Sequence, residues 1–136
     1  MILKDILKQK PMKMVTCGET RIVADAITKM DSENVGSILV LNGRQKLAGI
    51  FTERDIMRCF AKNIQMGQTT IKDVMSLDPV SLDASTDIST AVNLMAERKI
   101  MHLPVIEDEK ITGMVSSRDL ISYLLPEVIF MAQDIY

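Results

Sequence analysis

Little in this chain suggests covalent chemistry. It has no tryptophan, one histidine and two cysteines in 136 residues. Cys17, Cys59 and His102 offer neither zinc-finger spacing nor a Cys-x-x-Cys pair, so no metal or disulfide framework is expected, and the thiols read as buried and idle. His102 stands beside apolar Leu103 with no acid at a spacing that would orient it as in a catalytic triad, so packing or hydrogen bonding is its expected role. The phosphate loop GxxxxGK followed by Ser or Thr is absent, and so is GxGxxG. No apolar run approaches the roughly 18 residues of a membrane span. The first ten residues, MILKDILKQK, interrupt their apolar positions with charge, unlike a secretory signal, so a cytoplasmic protein is expected. A net charge of −2 provides no general attraction to nucleic acid or an anionic membrane.

What is present is a soluble globular composition, 47% hydrophobic and 25% charged, on a chain that repeats itself. LKDIL (3–7) matches IKDVM (71–75), VADAITKM (23–30) matches ISTAVNLM (88–95), and VGSILVL (35–41) matches IMHLPVI (100–106). GIFTERD (49–55) then matches GMVSSRD (113–119). The offset drifts only from 68 to 64 residues, which indicates duplication with small connector indels. Units near 60 residues are marginal alone, so the halves are expected to share a core, with the division at 1–62 and 63–136. The eleven methionines read as adaptable packing, as core filling or at a subunit contact.

Each half reads in the same order. A short helix (Leu3 to Lys8; Ile71 to Met75) precedes an extended piece at Val15-Thr16 or Val80-Ser81. Apolar residues at helical spacing then predict an amphipathic helix, from Ile22 to Met30 and from Ile88 to Met95, with N-cap candidates in DASTD (83–87). Two strands follow, Ser37 to Leu41 and Leu47 to Phe51 around NGRQK, whose Asn-Gly signals a hairpin; the second copy has Leu103 to Ile106 and Ile111 to Val115 around EDEK. A last helix runs from Thr52 to Ala61 or from Ser116 to Leu124, where Pro126 stops it, and residues 62–70 connect the halves. The class is α+β, with two β-α-β-β-α units whose small sheets leave an apolar face to cover.

The heptapeptides admit two readings. A Ser or Thr followed three residues later by an acid, where strand gives way to helix, resembles a capping box. The same helix start offers free N–H groups to a phosphate. Asp55 or Asp119 could accept from a vicinal diol such as ribose, and Thr52 or Ser116 could donate or accept beside it. Arg54, Arg58 and Arg118 are nearby cations.

The paired units, the VGSILVL and HLPV strands and the repeated Gly-x-x-Thr/Ser-x-x-Asp together resemble a tandem pair of CBS (cystathionine-β-synthase) domains, over essentially the whole chain. The resemblance implies sheet-to-sheet packing with pseudo-two-fold symmetry, the arrangement called a Bateman module, leaving two clefts that in many members bind AMP, ADP, ATP, S-adenosylmethionine or NAD-type molecules. It assigns Thr52 and Asp55 to one cleft and Ser116 and Asp119 to the other, holding ribose and phosphate. Adenine would lie against Val15, Thr16, Val35 and Ser37 in the first copy, and against Val80, Ser81, Ile100, His102 and Pro104 in the second. Members often carry Arg where this chain has Met101, a loss that disfavours a polyphosphate in the second cleft; Arg98 and Lys99 are the nearest substitutes. The resemblance also implies a homodimer of pairs.

The leading expectation is a free-standing, non-catalytic sensor that needs no obligatory cofactor, takes an adenosine nucleotide as regulatory ligand and signals to a separate protein effector by population shift. The alternative is a dimerisation or interaction scaffold with empty clefts. An enzyme lacks a credible nucleophile or metal cluster.

Overall fold

The computed structural model describes residues 1–9, 14–77 and 79–124. Its elements follow the predicted order twice, with β4 as an added strand: α1 (Leu3–Gln9), β1 (Thr16–Gly18), α2 (Val23–Glu33), β2 (Ser37–Leu41), β3 (Leu47–Thr52), α3 (Glu53–Ala61), a single 3-10 turn (Ile71–Asp73), β4 (Ser76–Leu77), β5 (Leu82–Asp83), α4 (Ile88–Arg98), β6 (His102–Glu107), β7 (Lys110–Ser116) and α5 (Ser117–Leu124). The sequence of IKDVM predicted a short helix, and only the 3-10 turn forms. Pro126, the expected stop for α5, lies outside the described residues.

Two compact units result, each mixed α+β. One contains a four-stranded sheet in the order β1-β2-β3-β4, with β1 parallel to β2 and the other pairs antiparallel. Its core joins Val23, Ala26 and Met30 of α2 to Ile38 and Val40 of β2, Phe51 of β3 and Cys59 of α3. Leu39 and its cross-strand partner Ile50, on the opposite face, are buried as well. A strand covered on both faces needs the unbroken apolar run seen at 38–41 rather than an alternation. The other unit has a three-stranded sheet, β5-β6-β7, over a core that includes Ile88, Ala91 and Met95 of α4, Leu103 and Val105 of β6, and Val115 and Leu120.

Duplication extends to backbone irregularities. Asn34 and Lys99 end α2 and α4 in the left-handed conformation, at φ 56° and 55°. The hairpins carry their register shift at the same place, between Val40 and Leu41 and between Val105 and Ile106.

The sequence repeat and the packing unit part company at the leading helices. Leu3 and Ile6 of α1 lie in the core built from residues 84–120, and Ile71 and Met75 lie in the core built from residues 15–59. Matching hydrogen bonds fix both: Leu3 N–H donates to Thr86 O and Ile88 N–H to Met1 O, as Ile71 N–H donates to Arg21 O and Val23 N–H to Thr69 O. Each leading segment thereby satisfies amides at the start of α4 or α2, donors that a helix cannot satisfy itself. Residues 62–70 are not a loose connector either, since Ile64 and Met66 pack on the first core and Met66 O accepts from Ala24 N–H.

The hairpin turns reverse the sequence signals. In NGRQK it is Gln45, at φ 60°, that takes the left-handed conformation, and Gly43 does not; Asn42 instead accepts from the amides of Arg44 and Lys46. In EDEK both central residues, Asp108 and Glu109, sit at positive φ, 52° and 65°. Glu107 pairs with Lys110 around them, which is the two-residue turn that favours Asn-Gly. Replacing Asp108-Glu109 by Asn-Gly is therefore expected to raise stability by about 1 kcal/mol, because Cβ strain at left-handed positions costs about that much. Urea unfolding monitored by circular dichroism would read the gain as a higher midpoint at unchanged slope.

Candidate functional site

Both heptapeptides fold as strand–helix corners. In the α5 corner, Asp119 Oδ2 accepts from Ser116 N–H at 3.2 Å and from Ser116 Oγ at 2.6 Å. Ser116 Oγ accepts in turn from Asp119 N–H at 3.1 Å. This reciprocal box satisfies two orphan donors at the start of α5. In the α3 corner, Asp55 Oδ2 accepts from Thr52 N–H at 2.9 Å and lies 3.3 Å from Thr52 Oγ1.

The corners differ in how fully each carboxylate is used. Asp55 is 5% exposed. Its second oxygen lies 3.5 Å from both Ser76 Oγ and the Arg58 guanidinium, so the β4 hydroxyl and a cation one helical turn on close over it. Asp119 is partly exposed, and the hydrogen bonds of its carboxylate among the described residues use Oδ2. Its Oδ1 is not used by the cap.

Neighbouring strands bring some of the expected adenine contacts to the corners. The register places Ser37 opposite Thr52 and His102 opposite Ser116. The first helical amide is tied to the residue just before, Glu53 N–H to Gly36 O at 3.1 Å and Ser117 N–H to Met101 O at 2.8 Å. Val35 and Ile100 precede these carbonyls and are partly buried. Pro104 faces Met114, two residues farther along β6, and is fully buried. Val15, just before β1, is also buried, and its carbonyl accepts from Leu39 N–H at 2.9 Å, while Thr16 pairs with Leu39. The Thr16 carbonyl accepts from Lys29 Nζ at 2.6 Å. Val80 and Ser81 precede β5 in chain order and are partly buried.

The cations are spread unevenly. Arg54 and Arg118 are exposed beside the motif acids in sequence, whereas Arg58 is engaged by Asp55. Arg98 closes α4 and Lys99 is its C-cap. Lys99 lines one groove with Met101 and Ser117, which brings it to the start of α5. Ser76 was not foreseen as a partner of Asp55, for it lies 21 residues away and carries no local signal.

The remaining chemistry is quiet. Cys17 and Cys59 are buried free thiols, and burial raises both pKa values above the ordinary thiol range, Cys59 also feeling the Asp55 charge. Asp83 spends its carboxylate on Ser85, accepting from its amide and hydroxyl, bonds that hold its pKa low. Asp87, expected as an N-cap, occupies that position before α4 without a side-chain capping bond.

The family model for the CBS domain matches twice, over residues 3–62 and 71–126. Among curated proteins, the mitochondrial CBS domain-containing protein CBSX3 of Arabidopsis thaliana is 32% identical over 92% of this chain and 65% of its own length. The chain spans about 56–65% of the length of the first curated relatives it matches. Among solved structures, the CBS domain protein NE2398 is 30% identical with a TM-score of 0.85, over 92% of this chain and 98% of that one. The CBS domain pair of protein MJ0100, in complex with 5′-methylthioadenosine and S-adenosyl-L-methionine, is 25% identical with a TM-score of 0.78, over 94% of this chain and 98% of that one.

Proposed function

The chain belongs to the CBS domain family as a tandem pair, and on that premise we propose that it is a regulatory module that binds an adenosine compound and passes the change to a protein effector. The observation that carries this reading is the α5 corner: an Asp119 carboxylate, partly exposed, with one oxygen committed to the cap and the other not used by it, beside the Ser116 hydroxyl. A ribose diol needs such an acceptor. Ile100 and His102 would flank the base, and Arg118, Arg98 or Lys99 would supply charge for a phosphate. The MJ0100 pair with its adenosine ligands supports the choice of ligand class. Thr52, Asp55, Arg54 and Arg58, with Val15, Thr16, Val35 and Ser37, would form the corresponding site at the α3 corner. Ligand binding would favour one arrangement of a pre-existing equilibrium and so alter the surface an effector meets. We place the homodimer of pairs in the same proposal. We propose the cytoplasm as its location, while the Arabidopsis relative is named as mitochondrial; among the described residues no helix is long and apolar enough to cross a membrane.

One observation favours the scaffold reading for the first corner: Asp55 is buried and both its oxygens are engaged, as a purely structural cap would be.

The test is a thermal-shift panel on nucleotide-stripped protein with AMP, ADP, ATP, S-adenosylmethionine, 5′-methylthioadenosine, NADH and GTP. At 100 times its Kd a ligand adds about 2.7 kcal/mol of stability, so one adenosine compound is expected to raise the melting temperature with dose, and Asp119→Ala to abolish the rise. If calorimetry also shows no binding of any of them, the sensor proposal fails.

A further inference from the structure

The two corners share a motif and differ in charge. The residue after each motif hydroxyl opens the helix and donates its amide to a backbone carbonyl, Glu53 to Gly36 and Ser117 to Met101. In the first corner that residue is an acid, and its side chain lies over Gly36. A Cβ added at Gly36 would stand 2.9 Å from Glu53 Oε1 and 3.2 Å from its Cδ. The carboxylate therefore fills space that a side chain at position 36 would need. The second corner has a hydroxyl in place of the acid and Met101 in place of the glycine.

Neighbouring positions differ in the same direction. The repeat aligns Glu33 with Arg98, Asn34 with Lys99, and Arg54 with Arg118. Asn34 and Lys99 are both left-handed C-caps, so they hold the same place in each unit, and Lys99 lines a groove together with Ser117. Across the positions at 33, 34, 53 and 54 the first corner carries two acids and one cation, and across 98, 99, 117 and 118 the second carries three cations and no acid. Two further cations of the first unit do not redress the balance, because Arg58 lies 3.5 Å from Asp55 and Lys29 Nζ donates to Thr16 O. The positive end of a helix dipole favours one anion. At α3 the chain supplies that anion itself in Glu53; at α5 the residue in its place is neutral, and the place is left to a ligand phosphate.

We propose that Glu53 bars phosphate from the α3 corner, so that a phosphorylated adenosine compound is held at the α5 corner alone and the α3 corner admits at most the unphosphorylated nucleoside. The inference rests on the adenosine-binding reading above and deepens it by assigning the phosphate to one of two corners that the shared motif makes alike. A carboxylate that served only the α3 dipole would alter stability and leave the preference for phosphate untouched, which gives the two roles different readouts.

The experiment is titration calorimetry of the full, nucleotide-stripped chain with AMP and with adenosine, which differ only in the 5′-phosphate, with circular dichroism to verify folding of each variant. The parent is expected to bind AMP at one site per chain and more tightly than adenosine. Ser117→Glu, which places the acid of the first corner in the second, is expected to lower the ratio of AMP to adenosine affinity at least about tenfold, since like charges brought together at a binding surface oppose association by that much or more. Glu53→Ser, the reverse exchange, is expected to add a second, weaker AMP site. An unchanged ratio in Ser117→Glu, no second site in Glu53→Ser, or two AMP sites in the parent overturns the assignment while leaving the sensor reading in place. A parent that binds neither AMP nor adenosine overturns it too, and one that binds no adenosine compound at all overturns the sensor reading with it.

Discussion

Gly49→Ala is expected to destabilise the protein by about 2–3 kcal/mol, the upper range for forcing an extra methyl into a filled site. Gly49 pairs with Val40 on one side and with Leu77 of β4 on the other. A Cβ there would stand 2.5 Å from the Met75 sulfur and 2.8 Å from the Ser76 carbonyl oxygen. The thioether could swing aside; the carbonyl belongs to the backbone that carries the Ser76 hydroxyl toward Asp55, and moving it loosens the cap as well. Gly113, its repeat counterpart, gives the control. The three atoms nearest a Cβ there all belong to the Leu7 side chain, the closest a terminal methyl at 2.9 Å, which can rotate. Alanine in a strand is favoured over glycine by about 0.5–1 kcal/mol, so Gly113→Ala is expected to fall within about 1 kcal/mol of the parent. Urea denaturation of both variants checks the pair, and equal losses would mean that β4 yields as readily as the leucine. The motif's glycine thus makes room for a neighbour, which in the first copy is backbone.

Which features the sequence disclosed follows from how local their causes are. The helices, strands and corners were legible because periodicity and capping act within a few residues, as in the Ile88, Ala91 and Met95 stripe or the Ser116–Asp119 box. The duplication made a weak motif readable by repeating it, and the CBS fold followed. The exchange of leading helices was not legible, since Leu3 and Ile71 are apolar whichever core receives them. Nor was the turn chemistry, for the pairing of Glu107 with Lys110 forces Asp108 and Glu109 into a conformation their own preferences resist. At the site, sequence treated the two motif acids as equals. The difference between them arises from Ser76, Arg58 and burial, and only Arg58 is near enough in the chain to be anticipated.

That difference makes the last prediction. Asp55→Ala is expected to cost about 2–3 kcal/mol, the loss of a cap added to the desolvation penalty of donors left without an acceptor. Thr52 N–H and Oγ1 would lose Asp55 Oδ2, while the exposed Ser76 hydroxyl, 3.5 Å from Asp55, can turn to water. The Arg58 pair adds little, because its guanidinium end is more than half exposed and water screens it. Asp119→Ala removes a cap of the same design from a wetter site, where solvent can replace the acceptor to Ser116 N–H and Oγ. About 1 kcal/mol is expected there. Caps that served structure alone and were interchangeable would cost the same on removal. The measurement is urea unfolding of both variants with and without the adenosine compound that stabilises the parent. Unequal losses without ligand, with the ligand-dependent gain missing from Asp119→Ala, would separate the two uses of one motif: a buried helix start in the first repeat and an open grip in the second. Equal losses, with the gain retained in Asp119→Ala, would return both acids to capping and move any nucleotide elsewhere.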